Sequence, residues 1–155
     1  MCPTLVTNQA LSVALDILLY IMAAIDLLPG AQADLRALRQ SDPDALAVVL
    51  AFIQEAEVED ELIDKCTTNG NVQIGANRVS VKAWAAARRT DNLFRFRILD
   101  SSATVYRIVY GYDWHTRRIG ILAVVHKENF DYEISGALAD RIYDDWRRAT
   151  DGRST

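Results

Sequence analysis

The chain has few of the residues that build catalytic and metal sites. Its 155 residues hold two cysteines, Cys2 and Cys66, and two histidines, His115 and His126. The cysteines match no metal-ligand spacing and the histidines make no zinc motif, so no metal is expected. A structural disulfide stays open, but a reduced, cytoplasmic protein fits this cysteine usage better. There is no glycine-rich phosphate loop, no GxSxG and no HExxH, so no nucleotide cofactor or hydrolase elbow is expected.

Long unbroken apolar runs are also missing. The stretch from Leu5 to Leu28 is strongly apolar, but Asp16 and Asp26 interrupt it. Its uninterrupted part, Ile17–Ile25, is too short to span a bilayer, and no Lys or Arg precedes it to form the positive region of a signal peptide. No membrane association is therefore expected. The pattern predicts a buried helix over about Gln9–Tyr20 and a short strand over about Ala23–Leu28. Residues 1–21 read as a helical extension, 22–149 as one domain and 150–155 as a frayed tail, with Met22 as an alternative start.

Positive charge is scarce in the first half. Residues 1–77 carry 3 basic and 11 acidic side chains, residues 78–128 carry 10 and 4, and residues 129–155 carry 4 and 6, within an overall charge of −4. An acidic average of this kind argues against a generic nucleic-acid binder. The local cationic block points instead to a polyanion site or a docking site for an acidic partner. Lys and Arg that protect strand edges from aggregation are the competing explanation.

The rest of the chain reads as helices, then strands. Pro29 and Gly30 break the first apolar segment, and a short helix is expected over about Ala31–Gln40. Ser41 or Asp42 can cap a second helix that starts at Pro43 and runs to about Lys65, with Leu46, Val49, Leu50, Ile53, Ala56, Leu62 and Ile63 as its apolar stripe. Its opposite face is acidic, which is usual for a solvated surface. NVQIG and RVSVKAW read as short strand pieces, and AWAAARRTDN as a turn of helix or a loop. Three strands follow over about Leu93–Leu99, Val105–Asp113 and Arg118–Val125, with DSSAT and DWHTR as hairpin loops. A last amphipathic helix over Ser135–Ala149 sets Leu138, Ile142 and Trp146 on one face. The predicted class is α+β: a mostly antiparallel sheet of about four strands, an N-terminal helical hairpin and a C-terminal helix.

The strands carry the chemistry. Period-two alternation puts Arg95 and Arg97 on one face of their strand and Phe94, Phe96 and Ile98 on the other. Arg107 lies among Val105, Ile108, Val109 and Tyr110, where an arginine is costly unless paired or facing water. If it shares a face with Arg95 and Arg97, the cluster repels itself until an anion compensates. RNA phosphate suits that role, because guanidinium forks bind it bidentately. Tyr106, Tyr110, Tyr112, Trp114 and Tyr132 are aromatics of the kind that stack on single-stranded bases, though most should be core. At the end of the third strand His126, Lys127 and Glu128, followed by Asp131 and Tyr132, gather groups able to move or hold a proton.

The run FRFRIL, VYRIVYGYD, RRIGILAVVHKENFDY resembles the three-stranded core of the RelE/ParE toxin superfamily. LLPGAQADLRAL resembles its first strand and opening helix, so the likeness covers about Ala23 to Trp146. The resemblance implies a bacterial toxin of a type II toxin–antitoxin pair that partners a cognate antitoxin. RelE-like members are metal-independent endoribonucleases that cut ribosome-bound mRNA by attack of the 2′-hydroxyl on the adjacent phosphate. By this likeness Arg95 and Arg97 would contact RNA, and Arg107 would stabilise the phosphate. Lys127, standing where members often carry arginine, would supply further charge. Tyr132 would stack or transfer a proton, and His126 joins them as a candidate acid–base group. The same fold also implies two alternatives: a ParE-like inhibitor of DNA gyrase, or a binding module without catalysis.

Overall fold

Alternating side chains along residues 93–126 build three antiparallel strands, and the rest of the sheet grows outward from them. The computed structural model describes residues 24–84, 92–130 and 136–151. Its strands are β1 (Ile25–Leu27), β2 (Gly70–Ile74), β3 (Asn77–Ala83), β4 (Leu93–Ile98), β5 (Tyr106–Asp113) and β6 (Arg118–His126). Its helices are α1 (Pro29–Ser41), α2 (Pro43–Glu57), α3 (Leu62–Cys66) and α4 (Ala137–Asp151). The sheet has the order β1-β6-β5-β4-β3-β2, with β1 parallel to β6 and every other pair antiparallel.

The α+β class, the helical pair, the C-terminal helix and the three central strands match expectation. The strand number does not: the sheet has six strands rather than about four. The two additional strands are the β2–β3 hairpin. Its turn needs Gly75, whose φ of 56° is left-handed and whose missing Cβ leaves room for the Glu55 side chain. Glu55 then accepts from Ala76 N and Asn77 Nδ2, which ties α2 to the turn. The expected long helix to Lys65 is also broken. α2 stops at Glu57, Val58 is 80% exposed, and α3 forms only after a turn. Lys65 explains the break: it folds back to Glu59 Oε1 at 2.8 Å and to the Gln73 carbonyl at 2.7 Å, contacts that a continuous helix would not bring together. The predicted helix over 9–20 lies outside the described residues, as does the stretch 85–91.

Helices cover both faces of the sheet. α1 and α2 bury Leu35, Leu46, Val49, Phe52 and Ile53 against Ile25, Phe96, Ile98, Ile108, Tyr110 and Ile121. Asp42 caps α2 by accepting from Ala45 N, with Pro43 in the first turn as the sequence indicates. α4 lies on the other face, packing Ala139, Ile142 and Trp146 on Leu93, Val109, Leu122 and Ala123. A bulge in β6 makes that fit possible. The register slips between Val109 and Tyr110, so Leu122 and Ala123 both turn toward α4. Trp146 lies directly over Gly111 and Gly120, where a Cβ would come within 2.7 and 2.9 Å of its ring.

Both sheet edges are blunted by the helical layer. Glu57 at the end of α2 accepts from Ala24 N and Ile25 N at the start of β1. Lys65 of α3 occupies the Gln73 carbonyl on β2. These contacts take up edge groups that would otherwise be open to another strand.

Candidate functional site

The face that carries α4 also carries the arginines. In the β4–β5 ladder Arg95 pairs with Val109 and Phe96 with Ile108, so the next step sets Arg97 beside Arg107. Across β3, Ser80 pairs with Arg97 and Lys82 with Arg95. On the far side Arg107 pairs with Val125. The side chains therefore stand in rows running across the strands. One row holds Ser80, Arg97, Arg107 and Val125, and the next holds Lys82, Arg95, Val109 and Ala123. Phe94, Phe96 and Ile98 point to the opposite, helical-pair side, as their alternation predicts.

Arg95 and Arg107 are each only 8% exposed. Arg107 turns its Nη1 back to the carbonyls of Thr104 at 3.0 Å and Tyr106 at 3.2 Å. Its Nε, and that of Arg97, meet no hydrogen-bond acceptor among the described residues. None of the ion pairs among the described residues involves Arg97 or Arg107. Two like charges stand side by side on a sheet, partly stripped of water, with donor capacity to spare. An anion with several acceptor oxygens is the group that such a pair can hold.

The candidates at the end of β6 separate. His126 pairs with Tyr106, so it belongs to the helical-pair side of the sheet, opposite Arg107. Its ring meets the Tyr106 ring edge-on at 5.5 Å, and its Nδ1 accepts from Glu128 N at 3.2 Å. Tyr106 in turn donates to Asp42 Oδ2 at 3.0 Å. Partial burial, and then the Asp42 carboxylate, raise the Tyr106 hydroxyl above the ordinary tyrosine range. This Asp42–Tyr106–His126 line ties the end of β6 to the α1–α2 junction, and the sheet stands between it and the arginines. Lys127 is exposed just past the strand, its backbone N–H donating to the Val105 carbonyl at 2.7 Å. Tyr132 lies outside the described residues.

Of the aromatics expected for stacking, Tyr106, Tyr110 and Tyr112 face away from the arginines. Tyr110 is fully buried on the helical-pair side, stacked on Phe96 at 4.0 Å. Its hydroxyl donates to the Cys66 carbonyl, and burial holds it well above the ordinary tyrosine range. Tyr112 packs half-buried in the same core. Trp114, at the β5–β6 turn, is 63% exposed and stacks on His115 at 3.7 Å. Trp84 and Phe130, with ring centroids 5.7 Å apart, share the arginine face with Tyr143 and Trp146 of α4. The alternation of Arg78, Ser80, Lys82 and Trp84 along β3 was the signal for Trp84.

Cys66 is buried, and burial pushes its thiol far above the ordinary range, so it is not a nucleophile. Among the described residues no group of His, Cys, Asp and Glu is arranged to hold a metal ion. Among them, too, no helix is long and apolar enough to cross a membrane. No family model, curated protein or solved structure matches the chain.

Proposed function

We propose that the chain is the toxin of a type II toxin–antitoxin pair, a metal-independent endoribonuclease that cuts ribosome-bound mRNA with its arginine face. The observation that carries this reading is the shared face of Arg95, Arg97 and Arg107. These are the positions at which the resemblance to RelE-like toxins places RNA contacts and the phosphate stabiliser. The element order supports it as well: a first strand, a helical pair, three antiparallel strands and a helix.

In this chemistry the RNA supplies its own nucleophile. The 2′-oxygen bonds to phosphorus as its proton leaves, and the bond from phosphorus to the 5′-oxygen breaks. That oxygen takes up a proton, and the products are a 2′,3′-cyclic phosphate and a 5′-hydroxyl. Charge grows on the non-bridging oxygens in the transition state. The unfilled donor of Arg107, held in a partly dry site, is suited to that charge. Lys127 adds a cation near the same strand end, and Tyr132 is the candidate for stacking or proton transfer. His126 faces the other side of the sheet, so it has no part in this scheme. An acidic segment of the antitoxin is the natural cover for the face.

Growth and primer-extension assays test the reading with wild-type protein and Arg107→Ala. Loss of one such donor costs about 100- to 1,000-fold in cleavage rate. A wild-type protein that is well expressed, yet neither slows growth nor cuts ribosome-bound mRNA, overturns it. The position of His126 favours one second reading, a binding module that grips an acidic partner without catalysis. In that case an Arg95, Arg107 and Lys127 triple alanine variant behaves like the wild type in growth assays.

A further inference from the structure

The turn between α2 and α3 carries negative charge that its own surroundings do not take up. Residues 42–64 hold eight acidic side chains and no basic one. Glu55 and Glu57 are spent on backbone amides, and Glu59 on Lys65. Asp60, Glu61 and Asp64 are exposed, and none of the ion pairs among the described residues involves them. Val58 heads this turn and is 80% exposed. Among the described residues, it and Trp114 are the large apolar side chains left in water. The cleft beside the turn is lined by Glu57, Glu59, Asp60, Glu61 and Asp64, with Arg117 as the one cation among its described lining residues.

The matching positive charge lies out of reach within one copy. Leu62 and Cys66 seat α3 on the helical-pair side of the sheet, while Arg97 and Arg107 stand on the other side. The cleft borders Ile119, whose β5 partner is Tyr112. From Arg107 to Tyr112 is five residues along the strand, about 17 Å. Two unpaired patches at opposite ends and on opposite faces can meet only between copies. Their patterns correspond. Glu61 and Asp64 are three residues apart at the start of α3, which sets Cβ atoms about 5–6 Å apart. Cross-strand neighbours such as Arg97 and Arg107 are about 4.5–5.5 Å apart. Val58 flanks the carboxylates, and half-buried Val125 flanks Arg107 in its row. We propose that the acidic turn of one copy docks on the arginine face of a second, head to tail. The contact joins two different patches, so each end keeps a free turn or a free face, and the assembly grows as an open chain or closes as a ring. It needs only that Arg97 and Arg107 take anions, so it rests on neither RNA cleavage nor an antitoxin. It also makes the face less available as the protein becomes concentrated.

Sedimentation velocity of the full chain, over a range of protein concentrations, tests this at about 20 mM and about 500 mM NaCl. The wild type should associate at low salt, and high salt should weaken the association at least about tenfold. Two variants each block one side. Glu61→Lys with Asp64→Lys reverses the turn, and Arg97→Thr removes a cation from the face. Each, shown to be folded by its thermal transition, should stay monomeric where the wild type associates. Should the first pair unfold, Asp60→Lys with Glu61→Lys, which lies before α3, takes its place. An equimolar mixture of the two variants should form a dimer and nothing larger, because the intact turn of the arginine variant still fits the intact face of the turn variant. A wild type that is monomeric at every concentration in low salt overturns the proposal. So does association that either variant keeps alone, which puts the contact elsewhere, and so does a mixture that stays monomeric. The readout is mass, so it is independent of the growth and cleavage assays that test the toxin reading.

Discussion

Arg97 and Arg107 stand side by side on neighbouring strands of one sheet face, and neither forms an ion pair among the described residues. Like charges placed directly across a ladder destabilise a sheet by about 0.2–1 kcal/mol. The pair is therefore a cost to the fold that an anion bound between the two would offset. Arg97→Thr should raise the thermal midpoint at low ionic strength and narrow its gain from added salt. Phosphate should stabilise the wild type by binding only the folded state, and should stabilise the variant much less. Equal phosphate-induced shifts in the two proteins would falsify the shared-anion account.

Gly111 is fixed by Trp146 rather than by its own backbone. A Cβ at this position would lie 2.7 Å from the indole of Trp146, which also covers Gly120. Gly111→Ala should destabilise the fold by about 1–3 kcal/mol through overpacking, measured as a lowered urea midpoint with unchanged slope. Trp146→Leu alone should also destabilise. Combined with Gly111→Ala it should cost less than the sum of the two, because the clash is then gone. Strict additivity of the two changes would mean that the indole is not the obstacle.

The central strands were legible because alternation is strict there. Phe94, Phe96 and Ile98 against Arg95 and Arg97 admit one assignment of faces, and the structure has it. The β2–β3 hairpin was visible only as fragments, since GNVQI is polar and half exposed and its turn depends on a contact with Glu55 from a distant helix. The split between α2 and α3 was hidden for a related reason. Leu62 continues the apolar stripe, and only the tertiary partner of Lys65 interrupts the helix. In the site, strand periodicity placed the arginines, but residue type alone grouped His126 with Arg107. Register decides otherwise, because neighbouring positions in a strand face opposite ways: Arg107 lies beside Tyr106, the partner of His126.

Alkaline pH should unfold this protein more readily than its composition suggests. Burial raises Cys66 and Tyr110, and burial together with Asp42 raises Tyr106. In the unfolded chain these groups lose protons near their ordinary values of 9.0 and 10.0. The folded state still holds its protons there, so the unfolded state binds fewer and stability falls as pH rises. Full stability is kept below about pH 8.5 and declines above it, with Cys66 acting first and the tyrosines from about pH 10. Urea midpoints between pH 7 and pH 11 measure this. Cys66→Ala should flatten the decline between pH 8.5 and pH 10, and an unchanged slope in that variant counts against the thiol.

Asp34 of α1 joins three elements where β1 has run out. β1 pairs with β6 only through Ile121, and Leu28 N then donates to the Ile121 carbonyl. One step on, Asp34 Oδ2 accepts from Val124 N at 2.9 Å, in place of a missing strand. The same carboxylate grips Arg141 of α4 with two hydrogen bonds, of 3.0 and 2.7 Å, and is only 15% exposed. Its loss strips a partner from a β6 amide and leaves a guanidinium without its carboxylate, so Asp34→Ala should cost about 2–4 kcal/mol. Asp34→Asn keeps an acceptor for Val124 N but gives up the charged fork, and should fall between wild type and alanine. Hydrogen exchange separates the two contributions. Val124 should exchange much faster in Asp34→Ala and only modestly faster in Asp34→Asn or Arg141→Ala. Val125, the neighbour of Arg107 across the ladder, follows directly in β6, so fraying here should also loosen the arginine face. If Val124 keeps wild-type protection in Asp34→Ala, the carboxylate is not what closes this edge of the sheet.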